Sequence, residues 1–296
     1  MTQQLNLSHQ KKKSSNIQAP ILNRDNLSTL FSYLLLLVVA AVFILPLFWM
    51  LSTSLKGADQ MFEIPPIWIP NPLEYDNFTE VFREVPFARF LLNTVFLVFV
   101  NIIGEVVSVS LIAYGFARLR FPGRSFLFLL MLSTLMIPYH VTLIPRFIMF
   151  AKLGWVNTYF PLTLPAFTGS PFLIFLVRQY MMSIPLDLDE AAYIDGATRF
   201  DVFWRIILPL SRPALVLVVV FTFVGTWNDF LQPLIYLNDP NMFTVSLGLS
   251  FFQGARETNW NLLMAGSLLA TIPPLILFFI AQRQLIGGIS VEGLKG

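Results

Sequence analysis

Cysteine is absent from this 296-residue sequence, which excludes a disulfide framework, a thiol nucleophile and any thiolate metal site. Histidine is nearly absent too: His9 and His140 are the only two. No His-Glu-x-x-His pair occurs, and the apolar stretches hold no nucleophile–base pair, so an intramembrane enzyme is the least supported function class. No Gly-x-x-x-x-Gly-Lys-Ser/Thr phosphate loop occurs, and lysine is confined to positions 11–13, 56, 152 and 295. The chain therefore cannot bind ATP by that route, and no cofactor or metal site is expected. Charge is scarce as well. Asp, Glu, Lys and Arg make up 12% of the residues, against about 25% in soluble chains. The net charge of +2 gives no sign of a nucleic-acid partner.

Apolar residues are abundant: 56% of the chain, with 30 phenylalanines and a mean hydropathy of +0.69. A membrane-spanning helix needs about 20 mainly apolar residues. Six stretches meet this length: within Leu27–Leu55, Phe90–Ala117 broken only by Glu105, Ser125–Pro145 extending toward Phe150, Trp155–Val177, Ile206–Asn228 and Trp260–Gln282. Barrel strands alternate in polarity over about ten residues, whereas these runs are continuously apolar. Backbone satisfied within each segment means helix. The expected fold class is an all-α membrane protein of six transmembrane helices. The first run is too long for a signal-peptide core and no small-x-small cleavage site follows it, so it reads as a retained helix.

Lys and Arg collect in cytoplasmic loops. With the amino terminus inside, the inner segments hold Lys11, Lys12, Lys13, Arg24, Arg118, Arg120, Arg124, Arg178, Arg199, Arg205, Arg212, Arg283 and Lys295. The outer segments hold only Lys56, Arg83, Arg89, Arg146, Lys152 and Arg256. Both termini are thus expected in the cytoplasm. Residues 1–28 read as a polar tail touching anionic lipid, and 29–296 as the membrane domain, with a core at 90–282. Residues 52–89 and 229–259 read as long external loops, and 178–205 as the only long cytoplasmic one. No internal repeat is evident, which disfavours an inverted-repeat carrier.

Within that cytoplasmic stretch, 183–209, the sequence from Pro185 to Pro209 reads as helix, turn, helix. Asp187, Asp189 and Glu190 place negative charge in a first turn, where the helix dipole favours it. Gly196 suits the left-handed residue that ends a helix. Thr198 and Asp201 have capping-box spacing. Ala191 and Ala192 are small, so that face admits close approach, and a helix this short needs a partner to cover it.

The order Glu190-Ala191-Ala192, Asp195-Gly196 and Ile206-Ile207-Leu208-Pro209 resembles the signature loop of permease subunits of binding-protein-dependent ABC importers. Trp227-Asn228-Asp229-Phe230, Gln282-Arg283-Gln284, Gly287-Gly288-Ile289 and the ending Gly293-Leu294-Lys295-Gly296 are similar to the maltose-type carbohydrate branch, and the six-helix layout to its smaller, MalG-like inner-membrane permease. The resemblance implies a heterodimer with a second permease subunit, two ATPase subunits that bind the ATP, and an external solute-binding protein. It further implies a bacterial cytoplasmic (inner) membrane location and a coupling loop, with Glu190, Ala191, Ala192, Asp195, Gly196, Ile207, Leu208 and Pro209 at the ATPase.

Glu105 is the only carboxylate well inside an apolar stretch, and intramembrane charge points to function by default. Thr94, Asn101, Glu105 and Ser108 share one helical face, which either lines a translocation path or bonds neighbouring helices. Asn228, Asp229 and Gln232 sit at the outer mouth, where they either meet solute on the translocation path or form a polar cluster that ends the helix. Pro209, Pro273 and Pro274 are candidate kinks, His140 reads as a packing residue, and Phe251–Asn259 is a candidate contact for the binding protein. The expected function is ATP-driven import of a sugar or polyol. The alternative is an ion-coupled secondary transporter titrating Glu105. The absence of a basic pair in the spans disfavours a phosphorylated solute.

Overall fold

The structure, a computed structural model, describes residues 24–254 and 258–289. The Lys11–Lys13 run, Arg256 and the ending from Gly293 to Gly296 lie outside the described residues. Helix is the only extended secondary structure among them, and one isolated antiparallel bridge joins Gln253 to Thr258.

The chain divides into two units, one up to Trp49 and one from Met50. The first holds most of α1 (Arg24–Ser54), a 31-residue helix with Pro46 inside it. From Leu34 to Phe48 its side chains are apolar on every side, and Leu30, Leu37 and Phe43 are all exposed, as suits a helix solvated by hydrocarbon.

The second unit is organised around α3 (Phe87–Arg118), 32 residues without a proline. It is preceded by α2 (Asp76–Glu84) and followed by α4 (Arg124–Ser133) and α5 (Tyr139–Lys152). A short α6 (Phe160–Thr163) leads through a tight 3₁₀ turn at Leu164–Thr168 into α7 (Pro171–Ser183). Next come α8 (Asp187–Ile194) and α9 (Arg199–Asp201), a π-helical stretch over Val202–Ile207, and α10 (Leu208–Leu210). The unit closes with α11 (Arg212–Trp227), α12 (Leu231–Tyr236), α13 (Val245–Leu249) and α14 (Trp260–Ile289).

Two apolar cores flank the middle of α3. One gathers Val109, Ala113 and Tyr114 of α3 with Val177 and Met181 of α7, Phe203 and Ile207 of the π stretch, and Val218 of α11. The other joins Phe87, Phe90 and Val98 of α3 to Val81, Trp227, Val245, Phe252 and Ala265. Polar bonds tie the connecting segments to the same helices. Asn77 of α2 donates to the Ser54 and Lys56 carbonyls and accepts from Asn261 of α14. The Trp227 indole donates to the Ala270 carbonyl at 3.0 Å.

Among the described residues, four stretches are long and apolar enough to cross a membrane: Ser28–Ser54, Phe87–Arg118, Phe160–Ser183 and Trp260–Gln282. Two bent pairs, Arg124–Met136 with Tyr139–Lys152 and Arg199–Leu210 with Arg212–Trp227, raise the number to six if each pair is one span. The first bend interrupts a third run that hydropathy left continuous, and the second falls beside Pro209, a candidate kink, whereas α14 runs on as one helix through Pro273 and Pro274. The third turns by 97° at Ile137–Pro138, where Ile137 is extended at φ −84°, ψ 112°, the region that a residue before proline prefers. The fifth turns by 73° around Ser211, between Pro209 and Pro213, each lacking an amide hydrogen for the helical ladder. The fourth starts at Phe160 rather than Trp155 and breaks at Gly169, whose φ of +77° is costly for any residue with a Cβ.

Candidate functional site

Two regions of the second unit concentrate polar side chains: a cavity beside the middle of α3, and the α8–α10 surface near its carboxyl end.

The cavity has a volume of about 780 Å³ and is walled by Asn101 and Glu105 of α3, Tyr139, Thr142 and Arg146 of α5, Thr168–Phe172, Phe221, Thr222, Gly225, Thr226 and Gln232. The break at Gly169 builds its upper wall. With the helix interrupted there, the Ser170 amide is released from the ladder and donates to Glu105 Oε2 at 3.0 Å. No cation among the described residues lies within ion-pair reach of Glu105. Asn101 donates to the Leu162 carbonyl and to Thr226 Oγ1, both at 3.1 Å. Its Oδ1 is buried and accepts from no described residue. Asn101 also lines a second space of about 100 Å³ that it shares with Thr226, Asp229 and Gln232. Arg146 stands with its guanidinium 5.3 Å from the centre of the Tyr139 ring, an attraction between cation and ring face. Asp229 Oδ1 accepts from the Gln232 amide at 3.1 Å. Burial raises its pKa, and the Gln232 and Leu231 amides offset part of that.

At the other end of α3, α8 and α9 are joined by Gly196, at φ +84°. The Thr198 hydroxyl accepts from the Asp201 amide, and the Asp201 carboxylate accepts from the Thr198 amide, completing the capping box. The α8 surface is sided. Asp189 is buried and Ala192 packs on the core, whereas Glu190, Ala191, Asp195 and Gly196 are exposed. Apolar groups are exposed alongside them: Ile194 at 87%, Phe200 at 66% and Trp204 at 59%.

Residues 107–290 match the family described as binding-protein-dependent transport system inner membrane component. The chain belongs to that family. It is 35% identical to the arabinooligosaccharides transport system permease protein AraQ of Halalkalibacterium halodurans over 261 residues, 87% of this chain and 93% of the relative. It is 32% identical to the sn-glycerol-3-phosphate transport system permease protein UgpE of Yersinia pestis over 275 residues, 90% of this chain and 97% of the relative. Its fold superposes with a TM-score of 0.79 on a chain from the crystal structure of a bacterial ABC transporter involved in the import of the acidic polysaccharide alginate, covering 90% of this chain and 99% of that one at 20% identity. The protein is a multi-pass inner-membrane permease with the ABC importer permease fold.

In this permease the polar face expected on α3 is partly a cavity wall and partly a seam. Asn101 and Glu105 reach the cavity. Thr94 instead accepts from the Val245 amide at 2.8 Å, and Ser108 donates to the Ala166 carbonyl at 3.1 Å. Asn228 is exposed, donates to the Val224 carbonyl of its own helix and lines neither cavity. His140, expected to pack, is exposed beside Tyr139. Ile207 is wholly buried in the permease's own core, Leu208 is half-buried and Pro209 is exposed. Arg146, Tyr139 and Thr142 were not singled out from the sequence as cavity residues. Hydropathy placed Arg146 in an outer segment, and only the bend at Pro138 carries α5 against the cavity. The signal that was available is its cationic side chain beyond a proline inside an apolar run.

Proposed function

We propose that this permease has six spans with both termini cytoplasmic, pairs with a second permease subunit, and imports a carbohydrate or polyol delivered by an external binding protein. ATP hydrolysis on two partner ATPase subunits drives the cycle. The observation that carries this reading is α8. It lies outside the apolar spans, yet exposes Ile194 at 87% beside the free face of Glu190, Ala191, Asp195 and Gly196. An exposed apolar group of that kind marks a surface that another protein covers. Glu190, Ala191, Asp195 and Gly196 would form the docking face itself. Ala192, Ile207 and Leu208 would hold that face to the core behind it, and exposed Pro209 would end the loop at its surface.

The cavity supports the solute class. Asn101, Glu105, Arg146 and Gln232 offer planar polar groups, and Tyr139, Phe172 and Phe221 offer rings, a combination that suits hydroxyl-rich solutes with apolar faces. Asp229 would continue the path outward, whereas Asn228 would stay off it. Relatives named for arabinooligosaccharide and sn-glycerol-3-phosphate transport point to the same class, and Arg146 puts one basic group, though not a basic pair, in the wall. The test is uptake by the complete transporter carrying Glu190→Lys or Gly196→Asp. Normal membrane insertion with lost ATPase co-purification and lost uptake is expected; wild-type uptake would overturn the docking role.

A further inference from the structure

We propose that Arg118 and Asp189 form a buried strut through which movement of α8 reaches α3, and that these are positioning residues for energy coupling rather than contacts to the ATPase. The inference rests on the docking role of α8 given above.

Arg118 occupies the last turn of α3, and Asp189 the first turn of α8. Arg118 Nε and Asp189 Oδ2 are 3.5 Å apart, and the two side chains are only 3% and 7% exposed. The same guanidinium donates through Nη2 to the Ile184 carbonyl at 2.8 Å, where α7 ends and its last carbonyls lack helical partners. One arginine therefore holds the end of α7 and the start of α8 together on α3. A second polar rung lies one turn away. Tyr114 of α3 donates to the Arg199 carbonyl at 2.9 Å, and the Tyr193 side chain of α8 lies close enough to the same hydroxyl to act on it electrostatically. Tyr114 and Arg118 are spaced i, i+4, as are Asp189 and Tyr193, so each helix presents both groups on one face. The pairing of 114 with 193 and 118 with 189 runs α8 antiparallel to α3.

Chain connectivity makes this attachment informative. Residues on either side of α8 continue into α7 and α11, so those helices follow it covalently. α3 has no covalent link to the loop, yet α3 carries Asn101 and Glu105 into the cavity. From Arg118 to Glu105 the proline-free helix spans about 20 Å at 1.5 Å per residue. A buried charge pair resists separation because either charge left alone in the interior is strongly disfavoured. Burial is the larger influence on the Asp189 carboxyl, raising its pKa, and the Arg118 charge offsets part of that rise. Displacement of α8 is thus transmitted to α3 instead of being lost in slippage between the two helices.

The experiment uses the whole transporter in proteoliposomes, with partner permease, ATPase subunits, binding protein and solute, and reads solute imported per ATP hydrolysed. Asp189→Asn, Arg118→Gln and the double variant should retain bound ATPase and ATP hydrolysis. Their transport ratio should fall roughly 2- to 30-fold, the range over which single positions modulate coupling. The double variant should fall no further than the worse single one, because the pair acts as a unit. Arg118→Lys and Tyr193→Phe, milder changes that keep the charge or the ring, should give intermediate ratios, and they decide the matter if the other variants fail to assemble. An unchanged ratio in the assembled variants would overturn the strut. Loss of ATPase binding in Asp189→Asn would also overturn it, since a side chain this buried cannot act by touching the partner. Failure of the docking reading has a different signature: Glu190→Lys would then keep normal uptake whatever the strut variants do.

Discussion

A Cβ added at Gly248 would collide with Cδ2 of Phe90, and that ring is 1% exposed and stacked against Phe251. Nothing flexible is available to move. Gly248→Ala therefore forces repacking of the outer core at a cost of about 1–3 kcal/mol, and the purified transporter should show a lower melting temperature. Gly115→Ala is the matched control. No atom lies within 4 Å of its added Cβ and it sits within α3, so its melting temperature should match the wild type or rise slightly. Glu105 tests a different property at the same scale. Glu105→Gln keeps an oxygen able to accept from the Ser170 amide while removing the charge, so assembly should survive and the effect should fall on solute affinity. A protonophore should leave uptake by both proteins unchanged when ATP is supplied. Uptake that collapses with the proton gradient would favour the ion-coupled alternative.

Between α8 and α9 the chain relies on one glycine and one cap, and both were legible in the sequence. Gly196 has φ +84° with no atom near its would-be Cβ, so substitution there strains the backbone alone. Left-handed geometry costs ordinary residues about 1–2 kcal/mol and asparagine less. Uptake should therefore be retained in the order Asn, Ala, Val at position 196. Thr198→Ala removes the hydroxyl that accepts from the Asp201 amide, a loss of about 1 kcal/mol, and amide exchange over 199–207 should accelerate in a mass-spectrometric measurement. These two positions were readable because a glycine turn and a capping box are local chemistry. The bend beside Ser211 was half legible, because Pro209 stood out as a candidate kink, but the bend at Pro138 was not readable in the same way. Hydropathy averages over a window and cannot tell one straight span from two limbs meeting at 97°. Asn101 and Glu105 stood out as polar groups in an apolar run, whereas Arg146 reaches the cavity only through that bend. The strut was hidden for a further reason. Arg118 reads as one more cytoplasmic positive charge until α8 is folded back upon it.

Across the whole molecule, orientation rests on the uneven placement of Lys and Arg, thirteen in the inner segments named above and six in the outer ones. The missing cysteines make this directly testable, because the native chain is silent to thiol reagents and any label reports the introduced residue alone. Two positions suit the purpose. Ile64, at 95% exposure, lies in the proline-rich segment after α1, and Ile194, at 87% exposure, ends α8. Neither side chain is buried, so cysteine there should leave folding intact. In sealed right-side-out vesicles a membrane-impermeant maleimide should label Ile64→Cys and spare Ile194→Cys; in inverted vesicles stripped of ATPase the pattern should reverse. Adding the ATPase subunits back should then protect Ile194→Cys and leave an accessible site such as Ser125→Cys, near the start of α4, still reactive. Labelling of position 194 from outside would place α8 on the side of the membrane away from any cytoplasmic motor. Unprotected labelling from inside would leave the exposed isoleucine without the partner that its exposure demands.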